Sequence, residues 1–171
     1  MSNPEQRYKK MLTGRRARGA GEHWETIIDL ACSFYSMEGI AEIAKTPEPM
    51  RPISPPNKKG QFLSCFTKKA QPDYKGTIRG GRSVVFEAKH TDSDRISRNV
   101  VSKEQESQLN KHLSLGAECF VLVSFGFQHF YKIPWNVFRN MKSIYGRKYI
   151  KPIDVEEYAI SVSGGFLRFL N

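Results

Sequence analysis

Pro72-Asp73 is followed fourteen positions later by Glu87-Ala88-Lys89, and then by Gln105. Glu87 and Lys89 stand two apart, so on a strand they share one face. A hard divalent cation such as Mg²⁺ takes oxygen ligands, preferably carboxylates. Beside a phosphodiester, such an ion neutralises the scissile phosphate and lowers the pKa of a bound water. Glu87 can hold the ion while Lys89 holds the attacking water or the phosphate. A hairpin can return the Asp73 carboxylate to Glu87, and the Ala88 carbonyl then lies within reach as a further oxygen. Metal-dependent phosphodiester hydrolysis is the chemistry this set can perform. A Glu-x-Lys triplet alone is weak, since a solvated strand face also carries it. The upstream Asp, the apolar lead-in Val84-Val85-Phe86 and the polar-tipped helix that follows give the triplet its meaning.

Several elements must position these groups. Tyr74 to Arg79 and Arg82 to Lys89 read as a hairpin around Gly80-Gly81, whose glycines supply the positive φ that tight turns demand. Ser102 to Leu115 reads as a helix with Ser102 as N-cap and Gln105 completing a capping box; Leu109, His112 and Leu113 trace its inner stripe. From Gly21 to about Gly39, Trp24, Ile27, Ile28, Ala31, Phe34 and Tyr35 follow helical spacing. Glu25 sits at the rim of that stripe, and a short extended segment is expected around Ile40 to Ala44. Cys119 to Phe125 and Phe130 to Ile133 read as strands, Trp135 to about Tyr145 as a helix opened by Pro134, and Tyr158 to Val162 with Phe166 to Leu170 as a last hairpin. This order predicts an α/β fold, a mixed sheet flanked by helices.

Two stretches fall outside that core. Residues 1–20 are polar and basic, with Arg15, Arg16 and Arg18 among glycines, and read as a flexible arm. Pro47, Pro49, Pro52, Pro55 and Pro56 make the next stretch extended and irregular. Lys58, Lys59, Lys68 and Lys69 follow, with Phe62 and Phe66 between them; the insertion is either a plain linker or a protruding arm that faces nucleic acid. Residues 21–171 then form a single domain, with about 50–71 inserted into it.

Composition narrows the partners. The 171 residues carry 27 Lys plus Arg against 17 Asp plus Glu, a formal net charge of +10, which favours a polyanion such as nucleic acid. No apolar run suits a membrane span and no secretory leader is evident, so a cytoplasmic protein is expected. Cys32, Cys65 and Cys119 are odd in number and form no Cys-x-x-Cys, which argues against disulfides and zinc. His23, His90, His112 and His129 have no ligand spacing. Gly19-Ala20-Gly21 is no dinucleotide fingerprint and there is no Walker A sequence, so no nucleotide cofactor is expected.

The Pro-Asp…Glu-x-Lys arrangement resembles that of the PD-(D/E)xK nuclease superfamily, and more narrowly the RecU-type Holliday-junction resolvases. Asp73-Tyr-Lys-Gly76 and Phe86-Glu-Ala-Lys89 are the most specific blocks. Gly21-x-x-x-Glu25 with Ile27 and Ile28, Lys45-Thr-Pro-x-Pro49, Glu104-Gln105 and Phe120 to Phe125 support them. Pro72 stands where the family usually has a small hydroxyl residue. The resemblance implies a restriction-endonuclease-like core, a homodimer in a bacterial cell, Mg²⁺ dependence with Mn²⁺ as a substitute, and a stalk that enters a four-way DNA junction. It implies Asp73 and Glu87 as metal ligands, Lys89 as catalytic, Gln105 near the water or phosphate, and Glu25 as an acidic support to the metal site. The expected function is a junction-resolving endonuclease of recombination and repair. A superfamily nuclease acting on duplex or flapped DNA, and a non-catalytic nucleic-acid-binding protein, are the alternatives.

Overall fold

The computed structural model describes the backbone of residues 4–47, 50–66 and 71–170, and within these the side chains from residue 18 onward except Phe66. Helix α1 (Pro4–Met37) opens the chain. It runs back through the segment expected to be a flexible arm, so arm and domain share one continuous helix. Lys, Arg, Gln, Met and Leu dominate this stretch and are strong helix formers, which tolerates Gly14 at a penalty of about 1 kcal/mol. The helix stops at Gly39, whose φ is +60°, and the Arg79 guanidinium donates to the carbonyls of Gly39 and Glu38 at 2.8 and 3.0 Å.

Strand β1 (Ala41–Lys45) follows α1. A separate hairpin, β2 (Met50–Pro52) and β3 (Ser64–Phe66), pairs Met50 with Phe66 and Pro52 with Ser64. The stretch expected to be irregular is thus partly ordered. The pairing continues through Ile53 N–H to the Leu63 carbonyl, and the Asn57 side chain accepts from the Lys59 and Gln61 amides at the tip. Every residue of β2 is exposed, as are Ile53, Phe62 and Leu63, and the hairpin lies in the segment where a stalk is expected.

The main sheet resumes with β4 (Tyr74–Ile78) and β5 (Arg82–Thr91), joined at Gly80 and Gly81, whose φ values are +93° and +88°. Next come β6 (Ile96–Ser97), α2 (Lys103–Ser114), β7 (Glu118–Phe125) and β8 (His129–Pro134). The five-stranded order is β1-β4-β5-β7-β8, with β5 and β7 parallel and the other neighbours antiparallel. This is the mixed α/β sheet that the element order predicts. The helix expected from Trp135 to Tyr145 breaks at Asn140 into α3 (Trp135–Arg139) and α4 (Met141–Tyr145). Beyond it, β9 (Tyr149–Ile150) pairs with β6, inside what reads as a polar loop. The final hairpin shrinks to β10 (Val162–Ser163) and β11 (Phe166–Leu167).

Alternation along β5 feeds two cores. Val84 and Phe86 join Phe120 and Leu122 under Trp24, Ile28 and Tyr35 of α1. Val85, Val121, Val123 and Ile133 pack on the opposite face with Leu109 of α2 and with Trp135 and Phe138. The C-terminal segment is pinned to α1: the Tyr35 hydroxyl donates to the Leu167 carbonyl and accepts from the Phe169 and Leu170 amides.

Gly76 lets β1 close on β4. A Cβ there would lie 2.2 Å from the Glu42 carbonyl oxygen and 2.7 Å from the Ile43 Cα, both rigid backbone. Gly76→Ala is expected to lower stability by about 3 kcal/mol, the upper part of the overpacking range. A urea-unfolding midpoint within error of the wild type would contradict this close approach.

Candidate active site

Asp73 precedes β4 and is fixed at its backbone, where the Thr46 N–H donates to the Asp73 carbonyl at 2.8 Å. Tyr74 pairs with Phe86, so the next position outward sets Asp73 beside Glu87. The Asp73 Oδ2 accepts from the Ala88 amide at 2.9 Å and from Lys89 Nζ at 3.1 Å. A residue of an extended strand directs its N–H and C=O to the same edge, so the Ala88 carbonyl shares the edge that Asp73 occupies.

Glu87 faces α2 and its side chain is 0% exposed. Its Oε2 accepts from Lys89 Nζ at 2.8 Å and from Gln105 Nε2 at 2.6 Å. Its Oε1 is buried without a partner. Gln105 does two jobs. Its amide N–H donates to the Ser102 Oγ and its Oε1 accepts from the Ser102 N–H, the capping box read from the sequence. The remaining Nε2 is thereby aimed at Glu87. The resemblance implies Gln105 near a water or phosphate; the structure bonds it to the carboxylate.

Two carboxylates and one ammonium leave one surplus negative charge in a poorly hydrated place. Burial pushes the Glu87 carboxyl up to about 8, and the neighbouring Asp73 charge adds to the rise while Lys89 opposes it. Lys89 is itself raised: desolvation works against its charge, but Glu87 and Asp73 together outweigh it.

Glu25 stands one step away. Its Oε2 accepts from Lys45 Nζ at 2.6 Å, and Lys45, the residue of β1 paired with Tyr74, is raised chiefly by that bond, with Asp73 contributing at longer range. Glu25 thus bonds Lys45, and its backbone carbonyl accepts from the Tyr74 hydroxyl at 3.3 Å, with no direct bond to either carboxylate. Sequence reading misses Lys45 as a site residue, although it begins the Lys45-Thr-Pro block. It also misses Asp29, whose Oδ1 accepts from the Tyr74 hydroxyl at 2.8 Å and ties α1 to the residue after Asp73.

Of the expected DNA-binding residues, Lys58 and Lys59 are exposed at the stalk tip and Arg18 is exposed on α1. Arg15 and Arg16 lie on α1, but their side chains are outside those described, and Lys68 and Lys69 lie outside the described residues.

Among the described residues no three His, Cys, Asp or Glu side chains converge to hold a metal on their own. Two carboxylates, one of them with an orphaned buried oxygen, and a backbone carbonyl still fit a hard ion that keeps several waters, as Mg²⁺ does. They do not fit zinc, which asks for nitrogen or sulfur.

The family profile described as RecU, Recombination protein U, matches residues 19–171. The chain belongs to this family. All the site residues just described lie within the matched RecU region. No curated protein matches the chain. Among solved structures it is similar to Archaeoglobus fulgidus Hjc, a Holliday junction resolvase from an archaeal hyperthermophile. Identity is 15% over 68% of this chain and 74% of that one, with a TM-score of 0.42. Among the described residues of this RecU chain, no helix is long and apolar enough to cross a membrane.

Proposed function

We propose that this RecU-family chain is a Mg²⁺-dependent endonuclease that resolves four-way DNA junctions in recombination. One observation carries the reading: Asp73, Lys89, Glu87 and Gln105 form a continuous hydrogen-bonded chain with an unpartnered buried carboxylate oxygen at its centre. Asp73, Glu87 and the Ala88 carbonyl would hold Mg²⁺, with Mn²⁺ able to substitute. Such an ion, when bound, neutralises phosphate charge and makes a water nucleophilic near neutral pH. Gln105 holds the Glu87 Oε2 in place from a capped helix. Lys89 presents a charged Nζ to the scissile phosphate oxygens and to the attacking water. Glu25 steadies the cluster through Lys45.

The stalk supports junction rather than duplex as substrate. Its exposed Ile53, Phe62 and Leu63 suit the unstacked centre of a junction, and Lys58 and Lys59 suit its phosphates. A homodimer would set two sites about a two-fold axis and give paired nicks. Such work belongs in the cytoplasm of a bacterial cell and needs no nucleotide cofactor.

A labelled four-way junction and a matched linear duplex, each incubated with Mg²⁺, Mn²⁺ or a chelator, test this. Paired nicks in the junction are expected with either ion and none with chelator, the duplex reacting at least ten-fold more slowly. Equal rates on duplex or flapped DNA would remove junction specificity. No cleavage with either ion would remove the nuclease.

A further inference from the structure

Behind the first turn of α2, on the side away from Glu87, the structure holds a second charged concavity. Arg98, Lys103, Glu106, Arg139, Lys142 and Lys148 line a cleft of about 240 Å³. Five cations surround one carboxylate. Glu106 answers Arg98 alone, at 2.9 Å, and Arg98 lies with its Cζ 5.0 Å from the Trp135 ring centre. Arg139 is held by the Asn110 side chain at 2.9 Å. Lys103, Arg139, Lys142 and Lys148 are exposed and have no acidic partner among the described residues. Four like charges gathered in a concavity repel one another in the free protein, and the arrangement focuses a positive field outward.

We propose that this cleft binds the phosphodiester backbone of a duplex DNA arm next to the scissile phosphate, an inference that rests on the nuclease reading of the carboxylate site. Position is the argument. Gln105, in the first turn of α2, points at Glu87, while Lys103 and Glu106 of the same turn line the cleft. The two places are therefore one helix width apart, about 10 Å. One DNA strand advances about 3.4 Å along its axis per phosphate, so about three phosphates span the gap. The stalk is inserted between β1 and β4, whereas the cleft is built from residues 98–101, α2, α3, α4 and the chain before β9. Stalk and cleft would thus hold the DNA from two sides of the reaction centre.

The full chain is titrated, in chelator, into a fluorescent four-way junction and a fluorescent duplex at several salt concentrations. The Arg139→Ala, Lys142→Ala, Lys148→Ala triple variant is expected to bind both at least ten-fold more weakly. Its slope of log affinity against log salt should be shallower by about 2–3, near 0.9 for each phosphate that is no longer neutralised. The charge-keeping triple, Arg139→Lys, Lys142→Arg, Lys148→Arg, should restore most of both. Lys142→Glu with Lys148→Glu leaves the Arg139–Asn110 bond in place and should weaken binding further, which guards against a folding defect in the triple. Wild-type affinity and slope in these variants overturn the proposal. So does a wild type that binds neither DNA, or a cleft that takes polyglutamate while the variants keep full DNA binding. Cleavage is scored separately with Mg²⁺. A wild type that binds without cutting defeats the nuclease reading alone, because the chelator titrations still decide the cleft.

Discussion

Glu87→Gln is expected to lower junction cleavage by roughly 10²–10³-fold while making the metal-free protein more stable at pH 8. On the proposed function, the activity loss follows from removing one of the two carboxylates that would hold the ion, a loss of the size seen when charge stabilisation at a transition state is deleted. The stability gain follows from burial. The Glu87 side chain is fully buried, one of its oxygens has no partner, and its carboxyl is raised from 4.5 to about 8. Below pH 4.5 it is neutral in both folded and unfolded chains and has no effect. As pH rises from there to about 8 the unfolded chain loses the proton that the folded chain keeps, so stability falls. Lys89 does not offset this slope, because its folded value lies above 10.5 and its contribution is lost only in more alkaline solution. His112, lowered by burial and by Lys75, has the opposite sign but acts below 6.5. Between pH 6.5 and 8 the Glu87 effect stands clear, at roughly 2 kcal/mol. That corresponds to about 4–8 °C in Tm for a chain of this size. Thermal melts in chelator at pH 6.5 and 8 should show the fall in the wild type and its absence in Glu87→Gln. Millimolar Mg²⁺ should flatten the wild-type slope, since a ligand of the folded state stabilises it by mass action. A wild type whose Tm holds steady over that window would mean the carboxyl is ionised throughout.

The pairing of Asp73 with Glu87 was legible because it depends on local turn chemistry. Gly80-Gly81 closes a tight hairpin, and the fourteen-residue separation then leaves few registers. The capping box at Ser102 was legible for the same reason. That Gln105 then reaches Glu87 is tertiary: it requires β7 to return parallel to β5, so that α2 crosses the face carrying Glu87 and Lys89. Lys45 was invisible as a site residue because its pairing with Tyr74 spans the whole stalk. Propensity could not place the start of α1 either, since a basic, glycine-bearing terminus reads as coil until its Lys, Arg and Met content is weighed against the glycines. The break at Asn140 has a packing cause. Trp135 and Phe138 of one short helix and Met141 of the next all enter the same core, so the helix is divided to bury each of them. The basic cleft draws on residues from 98 to 148 in several elements, and no spacing in the chain announces it.

Lys89→Met separates the chemistry from the packing by a different route. Methionine keeps the length of the stem and removes the ammonium, which leaves Asp73 and Glu87 facing each other with no cation between them. Cleavage should fall by roughly 10²–10⁴-fold, the range for losing a group that transfers a proton or stabilises charge at the reacting centre. Metal-free stability at pH 8 should fall by about 3 kcal/mol, the low end for stranding one partner of a buried pair. The low end applies because the Lys89 side chain is 19% exposed and because Glu87 responds by holding its proton more firmly. The sign is fixed by what remains: two acids that now repel. Glu87 is then held protonated to higher pH, so the deficit is largest in alkaline solution and shrinks as pH falls toward 4.5, where Glu87 is neutral with or without Lys89. Urea unfolding in chelator at pH 4.5 and 8 reads this directly, with the variant close to wild type at the lower pH and well below it at the higher. Glu87→Gln and Lys89→Met therefore move metal-free stability in opposite directions at pH 8 while both lower cleavage. A double variant should recover much of the Lys89→Met stability and none of its activity, because removing the second charge relieves the repulsion without rebuilding the site. Equal stability of Lys89→Met and wild type at pH 8 would show that the ammonium does not bridge the two carboxylates in solution.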